Sequence, residues 1–532
     1  MSTFYTDENN KVRKLWTISG GIHIPDNKEQ SLARPVRKAE LPKRLVIPLS
    51  QHIGAPNEPM VSVGDYVLKG QMIGSSKGFI SAPIHASTSG TVIDIGDYPV
   101  PHPSALPGPC IVIETDGKDE WTDLPTPMEY YATWDKTEIR DRIRQSGIVG
   151  MGGAAFPTSV KLNPPEGQQD IKSLIINGAE CEPYITSDDV LMQEHAKRIV
   201  NGAAIMNYLL DAKECLIAIE DNKPKAIAAM KQAVANSDDL TNAHVVVIPT
   251  RYPSGGEKQL IYILTGKEVR QGGIPSQIGV VVQNVSTAAA VADAVLDGKP
   301  LISRLVTFTG EGIGEPQNLE VLLGTTVEDL IPQVGGYTNK ANRLILGGPM
   351  MGISMRSDAI PVAKANNCIL VPSREEIPET GNISACIRCL RCVDACPMSL
   401  VPQNMYWHIR SDALEKAKHN NLFDCIECGC CSHVCPSRIP LVQFFRSAKA
   451  ANLQLDREQQ KKERARERSQ ARTERLERQE AEKQAKLKAK KEAMQKKKEA
   501  EAALKREQEE KAAATPATDT SQDTAGSEGQ DG

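Results

Sequence analysis

The stretch CIRCLRCVDACP, Cys386 to Pro397, returns as CIECGCCSHVCP, Cys425 to Pro436. The two runs hold nine of the chain's thirteen cysteines. Both read C-x2-C-x2-C-x3-C-P. Three thiolates at this spacing wrap one corner of a cuboidal iron–sulfur cluster in a tight loop. The fourth, followed by proline, leaves that loop for the neighbouring cluster. The spacing therefore predicts two 4Fe-4S clusters with crossed ligation. Cys386, Cys389, Cys392 and Cys435 hold one; Cys425, Cys428, Cys431 and Cys396 hold the other. The alternative is structural zinc, which uses paired C-x2-C knuckles with four ligands per ion. A third cysteine at the same spacing and a Cys-Pro, each occurring twice, do not fit that pattern. Cys430 falls outside the register and reads as a small residue packed beside a cluster. The segment between the runs, VPQNMYWHIRSDALEKAKHNNLFD, is helical in pattern. An α-helical two-cluster ferredoxin domain is expected over residues 376–450.

Clusters of this kind carry single electrons and need a donor and an acceptor, so the rest of the chain is read for a second redox group. At 532 residues it is too long for one core, and several domains are expected. Its net charge, 63 − 67 = −4, makes no case for nucleic acid as a partner. Cys110, Cys181, Cys215 and Cys368 are scattered singly and form no disulfide framework. MSTFYTDENNKVRKLW has no apolar stretch behind its charges, so no signal peptide is expected. No apolar run is long enough to span a membrane. A reducing, cytoplasmic setting is expected, where clustered cysteines mean metal or redox chemistry.

Upstream, residues 30–125 read as β, with runs such as RLVIPLS, TVIDI and CIVIETDG set off by glycine and proline. Within them, Met60 to Asp97 (MVSVGDYVLKGQMIGSSKGFISAPIHASTSGTVIDIGD) resembles the biotinyl/lipoyl carrier fold, a barrel-sandwich. Lys77 is misplaced for a carrier lysine and lacks the flanks of a biotin site, so the fold is expected without the prosthetic group. Residues 130–296 read as α/β. SLIING, CLIAIED and HVVVIP look like buried parallel strands, with helical stretches such as AKRIVNGAAIMNYLLDA between them. Residues 300–372 are β-rich and resemble the soluble-ligand-binding β-grasp domain.

The α/β region opens on GIVGMGGAAFPTSVKL, Gly147 to Leu162. Gly150, Gly152 and Gly153 let a backbone pass close to a ligand, and a helix start nearby favours an anion. Alone this could be no more than a turn, because the G-x-G-x-x-G spacing is absent. Three further segments follow: NGAECEPYITSD from Asn177, RYPSGGEKQLIYILTGKE from Arg251 and GVVVQNVSTAAAV from Gly279. In that order the four resemble the flavoprotein subunit of respiratory complex I and related NADH-oxidising subunits. In that family the segments read G-R-G-G-A-G-F-P-T-G-x-K, N-A-D-E-x-E-P, A-Y-x-x-G-E-E-T-A-L and N-N-V-E-T, and they build one pocket for FMN and NADH. The resemblance implies a Rossmann-like fold with FMN as cofactor and NAD(H) as substrate. It implies that Gly150, Gly152, Gly153 and Lys161 line the flavin and nucleotide phosphates. It implies that Asn177, Glu180 and Glu182 hold ribityl or ribose hydroxyls, and that Tyr252, Glu257, Asn284 and Thr287 complete the pocket. This sequence departs from the family at Met151 (arginine), Ala155 (glycine), Ala179 (aspartate) and Lys258 (glutamate). These changes bear more on NADH affinity than on flavin binding.

From Asp456 to Lys511 the chain is almost wholly Glu, Lys, Arg, Gln and Ala, with a net charge of 20 − 14 = +6. A charged helical tail is expected over 456–511 and disorder by composition over 512–532. The tail is either a solvated helix or a basic contact with an acidic partner or an anionic membrane surface.

In their order, these segments together resemble the family of C subunits of Rnf (Rsx) membrane electron-transport complexes. The resemblance implies a peripheral protein on the cytoplasmic side of the inner membrane, bound to integral membrane subunits and to other iron–sulfur subunits. It implies a translocase that couples electron transfer between NADH and ferredoxin to ion movement. Hydride would pass between nicotinamide and flavin, and single electrons between flavin and clusters. No protein base is needed, so no catalytic residue is assigned. Two alternatives stay open: an electron-relay and docking module without functional flavin, and a flavoprotein subunit of a soluble NAD-linked oxidoreductase.

Overall fold

The structure is a computed structural model that describes residues 3–6, 12–75, 77–104, 106–168, 170–378 and 381–513. It falls into two compact units, Met1–Lys449 and Ala450–Gly532.

Among the described residues, the first unit is built around five β-sheets, the smallest a pairing of Thr3–Thr6 with Val12–Leu15, and a small helical region. Strands Arg44–Pro48, Pro107–Thr115, Gly90–Pro99 and Tyr66–Val67 form one antiparallel sheet, and Glu58–Pro59, Met72–Ser75 and Ile84–His85 form a second. Leu45, Ile47, Ile73, Ile84, Ile111 and Ile113 fill their shared core. This is the expected barrel-sandwich.

The α/β region has a four-stranded parallel sheet in the order Ala243–Ile248, Glu214–Glu220, Ser173–Gly178, Val280–Asn284. The central strands are almost continuously apolar because helices cover both faces. Two of these helices, Ala196–Leu210 and Val285–Leu296, cross closely. Gly202 makes the approach possible: a Cβ there would lie 1.7 Å from the Ala288 carbonyl oxygen. That contact is to backbone, which cannot rotate away. Gly202→Ala is therefore expected to cost about 1–3 kcal/mol or more and to lower the thermal unfolding midpoint.

The third region is a six-stranded mixed sheet, Ile353–Met355, Leu344–Leu346, Cys368–Leu370, Ser303–Thr309, Gln317–Leu322 and Arg37–Lys38 in spatial order. Its last strand comes from a segment that the sequence places with the barrel-sandwich. A two-residue edge strand paired through backbone alone leaves no periodic pattern to read.

Residues 381–449 are helical around the cysteine runs, with short helices Arg391–Asp394, Pro402–Arg410, Leu414–His419 and Cys430–His433. The predicted helix between the runs is broken at Asp412, whose φ of 56° is left-handed. The final helix, Leu441–Ala513, begins here.

The second unit is helical over residues 450–513, and its side chains from 457 onward are exposed. Of the expected disordered end, residues 512 and 513 close the helix and the remainder lies outside the described residues. Among the described residues, no helix is long and apolar enough to cross a membrane.

Three regions of the first unit meet at a buried lysine. Lys364 Nζ donates to the carbonyls of Pro83 and Gly147, at 2.8 and 2.7 Å. Burial without a carboxylate partner pulls its pKa down to about 7. The buried Arg304 guanidinium reaches the carbonyls of Lys364 and Met151, and so ties this junction to the glycine-rich loop.

Candidate functional site

In an open parallel sheet, ligands bind beyond the carboxyl ends of the strands, where the strand order reverses. Here the reversal falls at Ser173–Gly178, whose neighbours are strands later in the chain on either side. Asn177 and Asn284 end two adjacent strands in direct register. The four glycine, Asn-Glu, Tyr-Pro and Asn-Val segments converge at this edge. Asn177 Nδ2 donates to the Gly255 carbonyl at 2.9 Å. The Met151 amide donates to Thr287 Oγ1 at 2.9 Å. Lys161 pairs with Glu257 at 2.6 Å and reaches the Val282 carbonyl at 3.2 Å. Gly150 closes the loop on itself through Phe156.

The loop leaves an open cradle. Gly152, Gly153 and Ala154 are exposed. A Cβ on Gly152 would meet the Asn284 side chain at 2.9 Å, and nothing lies within 4 Å of one on Gly153. Helices Glu257–Thr265 and Val285–Leu296 both start at this edge, so their positive ends face it. Bare backbone, an ammonium group and helix starts are what a phosphate-bearing flavin requires, so the residues present fit FMN. Met151 and Ala179 are buried, and Lys258 Nζ lies 3.9 Å from Asp424.

The carboxylates are deeper than their sequence pattern suggests. Glu180 accepts the amides of Asp188 and Asp189, at 2.7 and 3.1 Å, and so caps helix Ser187–Glu194. Burial pushes its pKa up to about 8, opposed chiefly by Lys28. Glu182 accepts the amides of Met350 and Met351, at 2.7 and 2.9 Å. Burial raises its pKa, and those amides oppose the rise. Asp188 is also raised by burial; Ser286 and Asn284, which donate to it at 2.6 Å, oppose the shift. Lys28, Asp188 and Arg304 were not singled out from sequence. No motif marks Lys28 or Arg304, and Asp188 reads as an ordinary first-turn acid in SDDV.

The cysteines gather around two cavities. One is lined by Cys396, Cys425, Cys428 and Cys431 with Leu400, Met405 and Phe445. The other is lined by Cys386, Cys389, Cys392 and Cys435 with Gln403 and Tyr406. Helices Arg391–Asp394 and Cys430–His433 pack together, so the two sets are neighbours. The amides of Leu400 and Glu427 point at Cys396 and Cys425 Sγ, each at 3.4 Å. Such N–H···S contacts favour the anionic sulfur of a cluster ligand. Four cysteines around an apolar cavity, twice, fit two 4Fe-4S clusters. Among the described residues, no three His, Cys, Asp or Glu groups stand as a site for a single metal ion. Cys430 is buried beside Cys428.

Fold and site together define an electron-transfer flavoprotein with an iron–sulfur domain, and the comparisons agree. Family models match the RnfC barrel sandwich hybrid domain over residues 16–118, the Nuo51 FMN-binding domain over 143–293, the SLBB domain over 305–354 and the 4Fe-4S dicluster domain over 382–439. The chain is 45% identical over 467 residues to the C subunit of the ion-translocating oxidoreductase complex of Pectobacterium carotovorum, covering 88% of this chain and 62% of that one. It is 46% identical to the C subunit of the same complex from Yersinia enterocolitica, covering 88% and 66%. The chain thus spans about 57–66% of the length of the curated relatives it matches. Over 88% of its length it is similar to these C subunits, and its barrel-sandwich region matches the RnfC family model. A solved NAD+-reducing NiFe-hydrogenase gives a TM-score of 0.40 at 22% identity over 46% of this chain and 49% of that one, a likeness too slight to carry an argument.

Proposed function

We propose that the chain is the peripheral NADH-oxidising subunit of an ion-translocating electron-transport complex, on the cytoplasmic side of the inner membrane. When bound, FMN exchanges a hydride with NAD(H) and trades single electrons with two 4Fe-4S clusters. The observation that carries this reading is the adjacency of a glycine cradle at the switch point and a cysteine-lined cavity. Tyr252 links the two regions: its backbone belongs to the Tyr-Pro segment of the flavin region, and its hydroxyl donates to the Cys428 carbonyl at 2.7 Å.

The protein's part is positional. Gly152 and Gly153 would admit the flavin phosphate, and Lys161, paired with Glu257, would be the cation to balance it. Asn177 and Asn284 present amides at the strand ends. Cys396, Cys425, Cys428 and Cys431 hold one cluster, and Cys386, Cys389, Cys392 and Cys435 hold the other. Cys389 is exposed, so a cluster held by this set would be accessible to an acceptor on a partner protein. Integral membrane subunits and further iron–sulfur subunits are the partners this reading requires, with ferredoxin and an ion gradient at the far end.

An inventory of iron, sulfide and flavin with anaerobic NADH titration tests the reading. Cluster absorbance should bleach on NADH addition when FMN is present and stay unbleached after its removal. Bleaching at the full rate without flavin would sink the assignment. Absence of FMN from a protein with both clusters intact would favour the relay module instead.

A further inference from the structure

Residues 16–28 lie before the region read as the first domain, yet they lace the α/β region to the cluster region. The Trp16 amide donates to the Ile263 carbonyl at 2.9 Å, and its ring packs against Gly266 and Tyr262. The Gly21 amide donates to the Ala395 carbonyl at 3.0 Å, one residue before Cys396. Ile22 and Tyr252 exchange both backbone hydrogen bonds, at 2.8 and 3.0 Å. Tyr252 in turn donates its hydroxyl to the Cys428 carbonyl. These contacts close a ring. The strap holds Ala395 and Tyr252, Tyr252 holds Cys428, and Cys396 and Cys428 line the same cavity.

Two consecutive glycines make the ring possible. Gly20 (φ 58°) and Gly21 (φ 75°) are both left-handed. A Cβ on Gly20 would lie 2.4 Å from the Cys396 carbonyl oxygen, and one on Gly21 would lie 2.8 Å from that of Tyr252. Any side chain would push the strap off the cluster loop or the loop off the flavin region. Tyr252 is the shared wall. It clusters with Ala395, Cys428 and Cys430, and Cys181, from the Asn-Glu segment, packs against the same cluster.

We infer that this strap is a brace for electron transfer. Gly20, Gly21 and Tyr252 are positioning residues that hold the cluster of Cys396, Cys425, Cys428 and Cys431 against the flavin region, which makes it the cluster nearer the flavin. For each electron that crosses, the reduced flavin loses one and the oxidised cluster gains one, with no bond made or broken in the brace. The inference rests on the flavin-to-cluster reading above.

The test uses the full chain with its cofactors, as Tyr252→Phe and Gly20→Ala, with Gly117→Ala as control. Gly117 shares the left-handed φ, at 74°, but nothing lies within 4 Å of its Cβ position. Each cluster's electron paramagnetic resonance spectrum and midpoint potential are measured by chemical reductive titration, which needs neither NADH nor FMN. Failure of the flavin reading therefore leaves this readout intact. In Tyr252→Phe, one cluster should shift to lower potential, because a donor near its ligand loop favours the more negative reduced state. That cluster should be the one missing from a Cys428→Ser protein, and the other should not move. In Gly20→Ala, which lies outside the flavin pocket, NADH-driven bleaching of the flavin should keep its rate while bleaching of the clusters slows. Gly20→Ala should alter the same cluster's spectrum, and Gly117→Ala should alter neither. If Gly20→Ala fails to fold, Tyr252→Phe decides alone. Unchanged potentials and transfer rates in Tyr252→Phe, or a shift confined to the other cluster, would overturn the inference.

Discussion

Replacing Cys428 with serine is expected to remove one 4Fe-4S cluster and spare the other, so that iron falls from about eight to about four atoms per chain. FMN content should not change, because the glycine cradle shares no residue with the cysteine cavities. Pairs of substitutions then decide the ligand sets. Cys396 lines the cavity of Cys425, Cys428 and Cys431, although it lies in the first run; Cys435 lines the other, although it lies in the second. Cys396→Ser with Cys428→Ser should therefore lose no more iron than Cys428→Ser alone. Cys435→Ser with Cys428→Ser should lose nearly all of it. If each run held its own cluster, the two pairs would exchange outcomes. Iron and sulfide analysis of anaerobically purified protein separates the schemes, and the single variants guard against general loss of fold.

The grouping of these cysteines was legible because cluster ligation is local: three ligands must fit one tight loop, and spacing encodes the loop. The parallel strands were legible because burial on both faces writes continuous apolar runs such as SLIING and CLIAIE. The strap was not. Its contacts to Ala395 and Tyr252 are backbone to backbone, and ISGGIH carries no periodicity. Lys28 and Arg304 were silent for a related reason. A buried cation satisfied by carbonyl oxygens needs no particular partner residue, so no pair of positions betrays it. Glu180 and Glu182 were found by their motif, but only the fold shows both engaged by backbone amides.

Lys28 is the strongest single test of that buried network. Its side chain is 6% exposed, and it donates to the carbonyls of Glu180 at 3.0 Å, Glu182 at 3.2 Å and Ile185. Lys28→Met keeps the apolar stem and leaves three carbonyls without a donor in a site too buried for bulk water. Each orphaned group costs about 1–3 kcal/mol, so a loss of about 3–5 kcal/mol is expected after partial relaxation. For a domain of this size that lowers the unfolding midpoint by roughly 10 °C. The deficit should persist in flavin-depleted protein, because the lost contacts hold the chain rather than the cofactor. It should also depend on pH. Burial raises Glu180 from 4.5 to about 8 in the folded protein, and the Lys28 ammonium is the charge that most strongly opposes the rise. A carboxyl with a raised folded pKa contributes most below its unfolded pKa. That contribution falls as pH rises toward the folded value and is constant beyond it. Without Lys28 the folded pKa rises further, so the decline continues past pH 8 and the variant's deficit is larger at pH 9 than at pH 6. Thermal unfolding of both proteins at the two pH values checks it. An equal deficit at both would mean that Lys28 serves the three carbonyls alone and leaves the charge of Glu180 untouched.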